Sequence, residues 1–72
     1  MNIKKLVGAN IRRVREAKGW SQDQLAEHSG LHRTYISGVE RGVRNPTIEV
    51  VAEVASALGV QAGTLFEKTS QK

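Results

Sequence analysis

Apolar residues along the chain recur at helical spacing, and glycines interrupt the pattern. Ile3, Val7, Ile11 and Val14, with Leu6 beside them, form one stripe, while Lys4, Lys5, Arg12, Arg13 and Glu16 fall elsewhere around the same helix. This predicts an amphipathic helix from about Ile3 to Lys18, stopped by Gly19 as a left-handed cap. Ser21-Gln22-Asp23-Gln24 then reads as a capping box with Gln in the place of Glu, and Trp20 and Leu25 stand at the staple positions. A second helix therefore starts at Ser21, turns Leu25, Ala26 and Ser29 inward, and ends at Gly30 after about two turns.

Gly30 permits the positive φ that a sharp helix-to-helix turn requires. Leu31 is placed to plug the core, and His32 takes the N-cap position of a third helix, where Ser or Thr would be stronger. That helix runs from about Arg33 to Arg41 and is closed by Gly42. Ile36 and Val39 are its only aliphatic residues, so a narrow stripe faces inward and Arg33, Thr34, Ser37, Gly38 and Arg41 face out. So short a helix with so thin a stripe is not explained by its own stability. Exposure for recognition explains it better, and Ser21–Gly42 reads as a helix-turn-helix.

Asn45-Pro46 marks a turn, and Thr47 caps a fourth helix with Glu49 suitably placed in its first turn. Ile48, Val51, Ala52, Ala55 and Leu58 form a core stripe that ends at Gly59. Val50, Val54 and Ala57 form a second stripe beside it, so this helix is more apolar than one core requires. A short fifth helix near Ala62–Glu67 contributes Leu65 and Phe66, and residues 68–72 form a polar, frayed tail.

Composition adds boundaries to this picture. With 72 residues, of which 39% are hydrophobic, the chain holds one small domain over residues 1–67, and its marginal core favours dimerisation. No cysteine is present, which excludes disulfides and thiolate metal sites. His28 and His32 lack a further ligand at metal-site spacing and read as surface or capping residues, so neither metal nor cofactor is expected. Apolar runs are too short to span a bilayer and no signal-peptide core opens the chain, so a soluble, cytoplasmic protein is expected. The formal charge of +4 is uneven. Lys4, Lys5, Arg12, Arg13, Arg15 and Lys18 oppose only Glu16 at one end, whereas residues 45–67 carry Glu49, Glu53 and Glu67 without a cation. The basic end suits a polyanion and the acidic end should face away from it.

The residues also match a family. Ser21-Gln22, Leu25-Ala26, Gly30-Leu31, Ile36-Ser37, Glu40-Arg41-Gly42, Asn45-Pro46 and Ala57-Leu58-Gly59-Val60 resemble phage repressor and Cro-type helix-turn-helix regulators over about residues 6–66. Arg33-Thr34-Tyr35-Ile36-Ser37-Gly38 and Arg44-Asn45-Pro46 look most like the small controller proteins of bacterial restriction-modification systems. The resemblance implies an all-α, compact five-helix repressor-like DNA-binding domain. It also implies a regulator, acting as a repressor or an activator, of its own operon and an endonuclease gene.

Candidate DNA-binding residues follow from the geometry of a helix in the major groove, where the helix N-terminus approaches base edges. Arg33 stands there and can meet guanine O6 and N7 with its planar fork, or else contact a phosphate or solvent. Thr34 and Ser37 can reach base or phosphate. Tyr35 can stack on sugar or thymine methyl and bond a phosphate, or pack beneath the second helix. Gly38 cannot read a base, which shifts specificity to its neighbours and to DNA shape. Arg41, Arg44 and Asn45 can follow the backbone and add salt dependence.

Other roles come from the resemblance. Gln22 matches the family's phosphate-contacting glutamine, and Arg15 and Glu40 match an ion pair joining the first helix to the third, with a phosphate contact as a second role for Arg15. Asp23 and Glu27 match positions where some phage repressors present acidic groups to RNA polymerase, although a solvated acidic face, ordinary on amphipathic helices, is the stronger account of them.

A palindromic site in double-stranded DNA requires a two-fold dimer. Val50, Val54, Ala57, Val60, Leu65 and Phe66 are the expected interface of a homodimer through the fourth and fifth helices. An enzyme is not expected, since no convincing Ser, His and carboxylate set, phosphate-cradling glycine loop or sizeable pocket is in prospect. The alternative is an antitoxin-type or other protein-binding helical module whose DNA binding is secondary. Such a module needs an added binding tail, which the residues after Glu67 hardly supply.

Overall fold

A computed structural model describes residues 2–68. It contains four α-helices, α1 (Ile3–Ala17), α2 (Gln22–Ser29), α3 (Arg33–Glu40) and α4 (Ile48–Leu58), followed by a 3-10 helix at Ala62–Phe66. The expected fifth helix is thus a 3-10 turn, and there is no strand among the described residues. The frayed tail expected at 68–72 lies, after Lys68, outside the described residues.

Local signals set the helix ends. Asn2 accepts from the Lys4 and Lys5 amides at 3.1 and 3.2 Å and caps α1. At α2 the capping box is complete: the Gln24 amide donates to Ser21 Oγ at 3.1 Å, and the Ser21 amide donates to Gln24 Oε1 at 2.8 Å. Thr47 Oγ1 accepts from the Val50 amide at 3.1 Å and starts α4. His32 makes no side-chain cap bond. Gly30 has φ 77° and carries the chain from α2 toward α3 within a few residues.

The core is formed by Val7, Ile11, Leu25, Ile36, Val39, Val51, Val54, Ala55, Leu58 and Leu65, with Trp20, Leu31 and Tyr35 among the partly buried residues packed against it. Two expectations for α4 are corrected. Ile48 is 85% exposed and Ala52 is also exposed, whereas Val54 is 3% exposed and belongs to the core. The inward face is centred on Val51, Val54, Ala55 and Leu58, a phase that turns Ile48 and Ala52 to one flank and Val50 and Ala57 to the other. Leu65 is wholly buried and serves as the plug that the 3-10 helix contributes.

Two residues of α1 fix its neighbours. Asn10 is completely buried, and its Nδ2 donates to the carbonyls of Leu65 at 2.9 Å and Glu67 at 2.7 Å, tying the C-terminal turn down. Gly8 faces the end of α3, where an added Cβ would run into the carbonyl oxygens of Val39 and Glu40. Its missing side chain lets α1 and α3 approach closely.

Candidate nucleic-acid interface

The pose of α3 is set by a buried ion pair. Arg15 Nε donates to Glu40 Oε2 at 2.7 Å and its Nη2 donates to Oε1 at 2.9 Å, with the two side chains only 9% and 3% exposed. Arg15 Nη1 also donates to the Trp20 carbonyl at 2.7 Å, so one guanidinium joins α1, the α1–α2 connection and the end of α3. The hydrogen bonding to Glu40 raises the Arg15 pKa above the usual arginine value, against the opposing effect of burial. The guanidinium therefore stays charged. Arg15, expected at this pair with a phosphate as its second role, is buried, and all three of its guanidinium nitrogens bond to Glu40 or the Trp20 carbonyl.

Gln22 joins the same network, because its Nε2 donates to Glu40 Oε1 at 3.1 Å. A half-buried glutamine at the start of α2 is thus held against the last residue of α3. The two helices of the motif are locked together beneath the surface that α3 presents.

On that surface Arg33, Thr34, Arg41, Arg44 and Asn45 are exposed, while Tyr35 and Ser37 are half-buried. Gly38, expected to face outward, is buried. The cover is Arg44: a Cβ on Gly38 would stand 2.5 Å from Arg44 Cγ, and the guanidinium carbon lies 5.6 Å from the Tyr35 ring centroid. The amides of Val43 and Arg44 both donate to the Gly38 carbonyl, at 3.0 and 3.2 Å, which folds the loop back over the helix. Lys5 lies just beyond the same end of α3, with its stem against Gly42. Tyr35 also lines a shallow groove with Leu31, Thr34, Arg44 and Val50.

Of the two acidic residues on α2, Glu27 is exposed and Asp23 lies 3.4 Å from Arg33 Nε. His28 stacks on Trp20 with ring centroids 4.2 Å apart, and Lys18 Nζ lies 4.7 Å from the Trp20 ring centroid. Among the described residues there is no cluster of His, Asp and Glu suited to a metal ion and no helix long and apolar enough to cross a membrane.

The apolar surface differs from the expected one. Val54 and Leu65, assigned to a dimer interface, are buried in the core and cannot serve it. Val50, Ala57 and Val60 are partly buried. Phe66, 42% exposed, instead shares a groove with Ile3, Pro46 and Ile48 on the opposite flank of α4 from Val50 and Ala57.

Comparison with known proteins agrees with this architecture. The sequence pattern of the helix-turn-helix family matches residues 11–65. The chain is 43% identical over 72 residues to control protein C.SmaI of Serratia marcescens, covering all of this chain and 86% of that protein. The restriction-modification controller protein C.AhdI of Aeromonas hydrophila superimposes with a TM-score of 0.85 at 43% identity, over 88% of this chain and 96% of that one. The controller protein C.Esp1396I, solved as a tetramer on its natural 35 base-pair operator, gives a TM-score of 0.84 at 38% identity over 92% of this chain and 87% of that one. The chain belongs to the helix-turn-helix family of transcriptional regulators.

Proposed function

We propose that the protein binds a palindromic operator as a homodimer and controls its own gene together with a restriction-modification operon. The observation that carries this reading is the pairing of an exposed, basic recognition helix with a buried clamp. Arg33 and Thr34 on α3 and Arg41 at its C-cap are exposed, while Arg15, Glu40 and Gln22 fix its pose from beneath. A helix that is rigid on its buried side and polar on its outer side can present donors to base edges in the major groove. Similarity to controller proteins, one of them solved on its operator, supports the regulatory role.

In this reading Arg33 meets guanine O6 and N7, worth about 1–3 kcal/mol of discrimination. Thr34 and Ser37 contribute hydroxyls beside it, and Tyr35 contacts sugar or phosphate. Gln22, Arg41, Arg44 and Asn45 hold the DNA backbone and set the register. A dimer places two recognition helices about one helical turn apart, on successive half-sites. The flank of α4 carrying Ile48, with Ile3 and Phe66, supplies the contact between copies. An acidic contact to RNA polymerase falls to Glu27, since Asp23 faces Arg33.

The test is a titration with the duplex upstream of the gene, repeated at several salt concentrations with competitor DNA. Binding should survive competitor, weaken steeply with salt and lose base preference in Arg33→Ala. Binding indifferent to sequence in the wild type would defeat the reading.

A further inference from the structure

The first residue of the recognition helix does not stand alone. Arg33 Nε is 3.4 Å from Asp23 Oδ1, in an ion pair that bridges α3 and the first turn of α2, with side chains 56% and 77% exposed. Pairs this exposed add little to folding stability. Asp23 is moreover favourably placed at the N-terminal end of α2 whether or not Arg33 is present. In this pose the Nε edge of Arg33 is the one turned toward Asp23.

A guanidinium is a planar fork with donors on two edges. Guanine O6 and N7 can be met by its two terminal nitrogens, or by Nε with one terminal nitrogen. A carboxylate at Nε occupies the second edge and leaves the first. The same carboxylate repels phosphates, so it opposes the non-specific alternative in which Arg33 swings onto the DNA backbone.

We propose that Asp23 is a positioning residue for base recognition: it holds Arg33 by its Nε edge, presents the two terminal nitrogens to a guanine, and disfavours phosphate contacts by Arg33. The inference rests on Arg33 being the base reader described above. It deepens that reading by assigning part of the selectivity to a residue that itself need touch no base. Holding the side chain before binding also reduces the rotamer freedom lost on contact.

Two consequences combine in a way that loss of folding cannot imitate. Removing the Asp23 charge tightens binding to duplexes of any sequence, because one anion near the phosphates is gone. It also weakens the preference for guanine, because Arg33 is free to take other partners. Selectivity falls while non-specific affinity rises.

The experiment uses the intact protein and a pool of duplexes randomised over an operator-length window. Wild type, Asp23→Asn, Asp23→Glu, Arg33→Ala and the Asp23→Asn/Arg33→Ala double variant each select from the pool. Kd values are then measured for the wild-type consensus, for its guanine substitutions and for random duplex. Asp23→Asn is expected to lower the guanine preference about three- to tenfold, a part of the discrimination such a contact carries, and to tighten random duplex about two- to fivefold. Asp23→Glu should keep most of the preference, and Asp23→Asn should change no base preference once Arg33 is Ala. A wild type that selects no consensus overturns both this inference and operator recognition. A consensus whose guanine preference is unchanged in Asp23→Asn, or shifts equally in the Arg33→Ala background, overturns this inference alone.

Discussion

Arg44 occupies the space that a side chain on Gly38 would fill: an added Cβ would stand 2.5 Å from Arg44 Cγ. The outer surface of α3 is therefore completed by a residue from the following loop. The guanidinium, set beside the Tyr35 ring at 5.6 Å, is held over the helix rather than trailing behind it.

Gly38→Ala tests this arrangement. The new methyl meets the stem of a flexible side chain, so Arg44 moves aside and the backbone need not. Helix propensity offsets the strain, and stability should stay within about 1 kcal/mol of wild type in urea unfolding. Operator affinity should fall roughly tenfold, about the loss of one charge-assisted contact. An unchanged Kd would mean that the placement of Arg44 over Gly38 is irrelevant to DNA binding.

Gly8→Ala, chemically the same change, should behave in the opposite way. Its methyl would press on the Val39 and Glu40 carbonyls, which belong to the backbone of α3 and cannot rotate away. Overpacking of this kind costs about 1–3 kcal/mol, so the melting temperature should drop clearly. A variant as stable as wild type would show that α1 and α3 can separate without loss.

These glycines show what the sequence reveals and what it hides. Helix ends were legible because capping is local: Ser21 with Gln24, and Thr47 with Val50, are decided within three residues. Long-range approach leaves no such mark. Gly8 looks like a weak point inside a helical repeat, and Asn10 like a surface polar residue, until α3 and the C-terminal turn pack against them. On α4, apolar residues surround so much of the helix that periodicity alone did not fix the inward direction, and Ile48 and Val54 exchanged roles. The Arg15–Glu40 pair was accessible only through family resemblance, because charges 25 residues apart carry no spacing rule.

That pair is a clamp whose two halves depend on each other. Arg15→Met leaves Glu40 charged, buried and bonded only to Gln22, and should cost about 3–5 kcal/mol. The double variant Arg15→Met/Glu40→Leu removes both charges and should recover most of this loss. DNA binding should not recover with it, because Gln22 and the end of α3 lose their shared anchor. Urea unfolding and operator titration on the same samples separate the two effects, and full recovery of affinity would assign the pair a purely stabilising role.

The contact between copies can be tested by contrasting the two flanks of α4. Ile48 is 85% exposed in a single chain, so Ile48→Asp should leave monomer stability within about 0.5 kcal/mol of wild type. If Ile48, Ile3 and Phe66 meet their counterparts in a second copy, the same change puts two like charges into an apolar interface and should abolish dimerisation at micromolar concentration. Ala57→Gln, on the other flank, should leave self-association unchanged, and Val54→Asp should unfold the chain because Val54 is a core residue. Sedimentation velocity reads all three. A dimer that survives Ile48→Asp but is lost in Ala57→Gln would move the interface to the Val50 side, beside Tyr35 and the recognition helix. The operator affinity of Ile48→Asp would then also be preserved, because its dimer is intact.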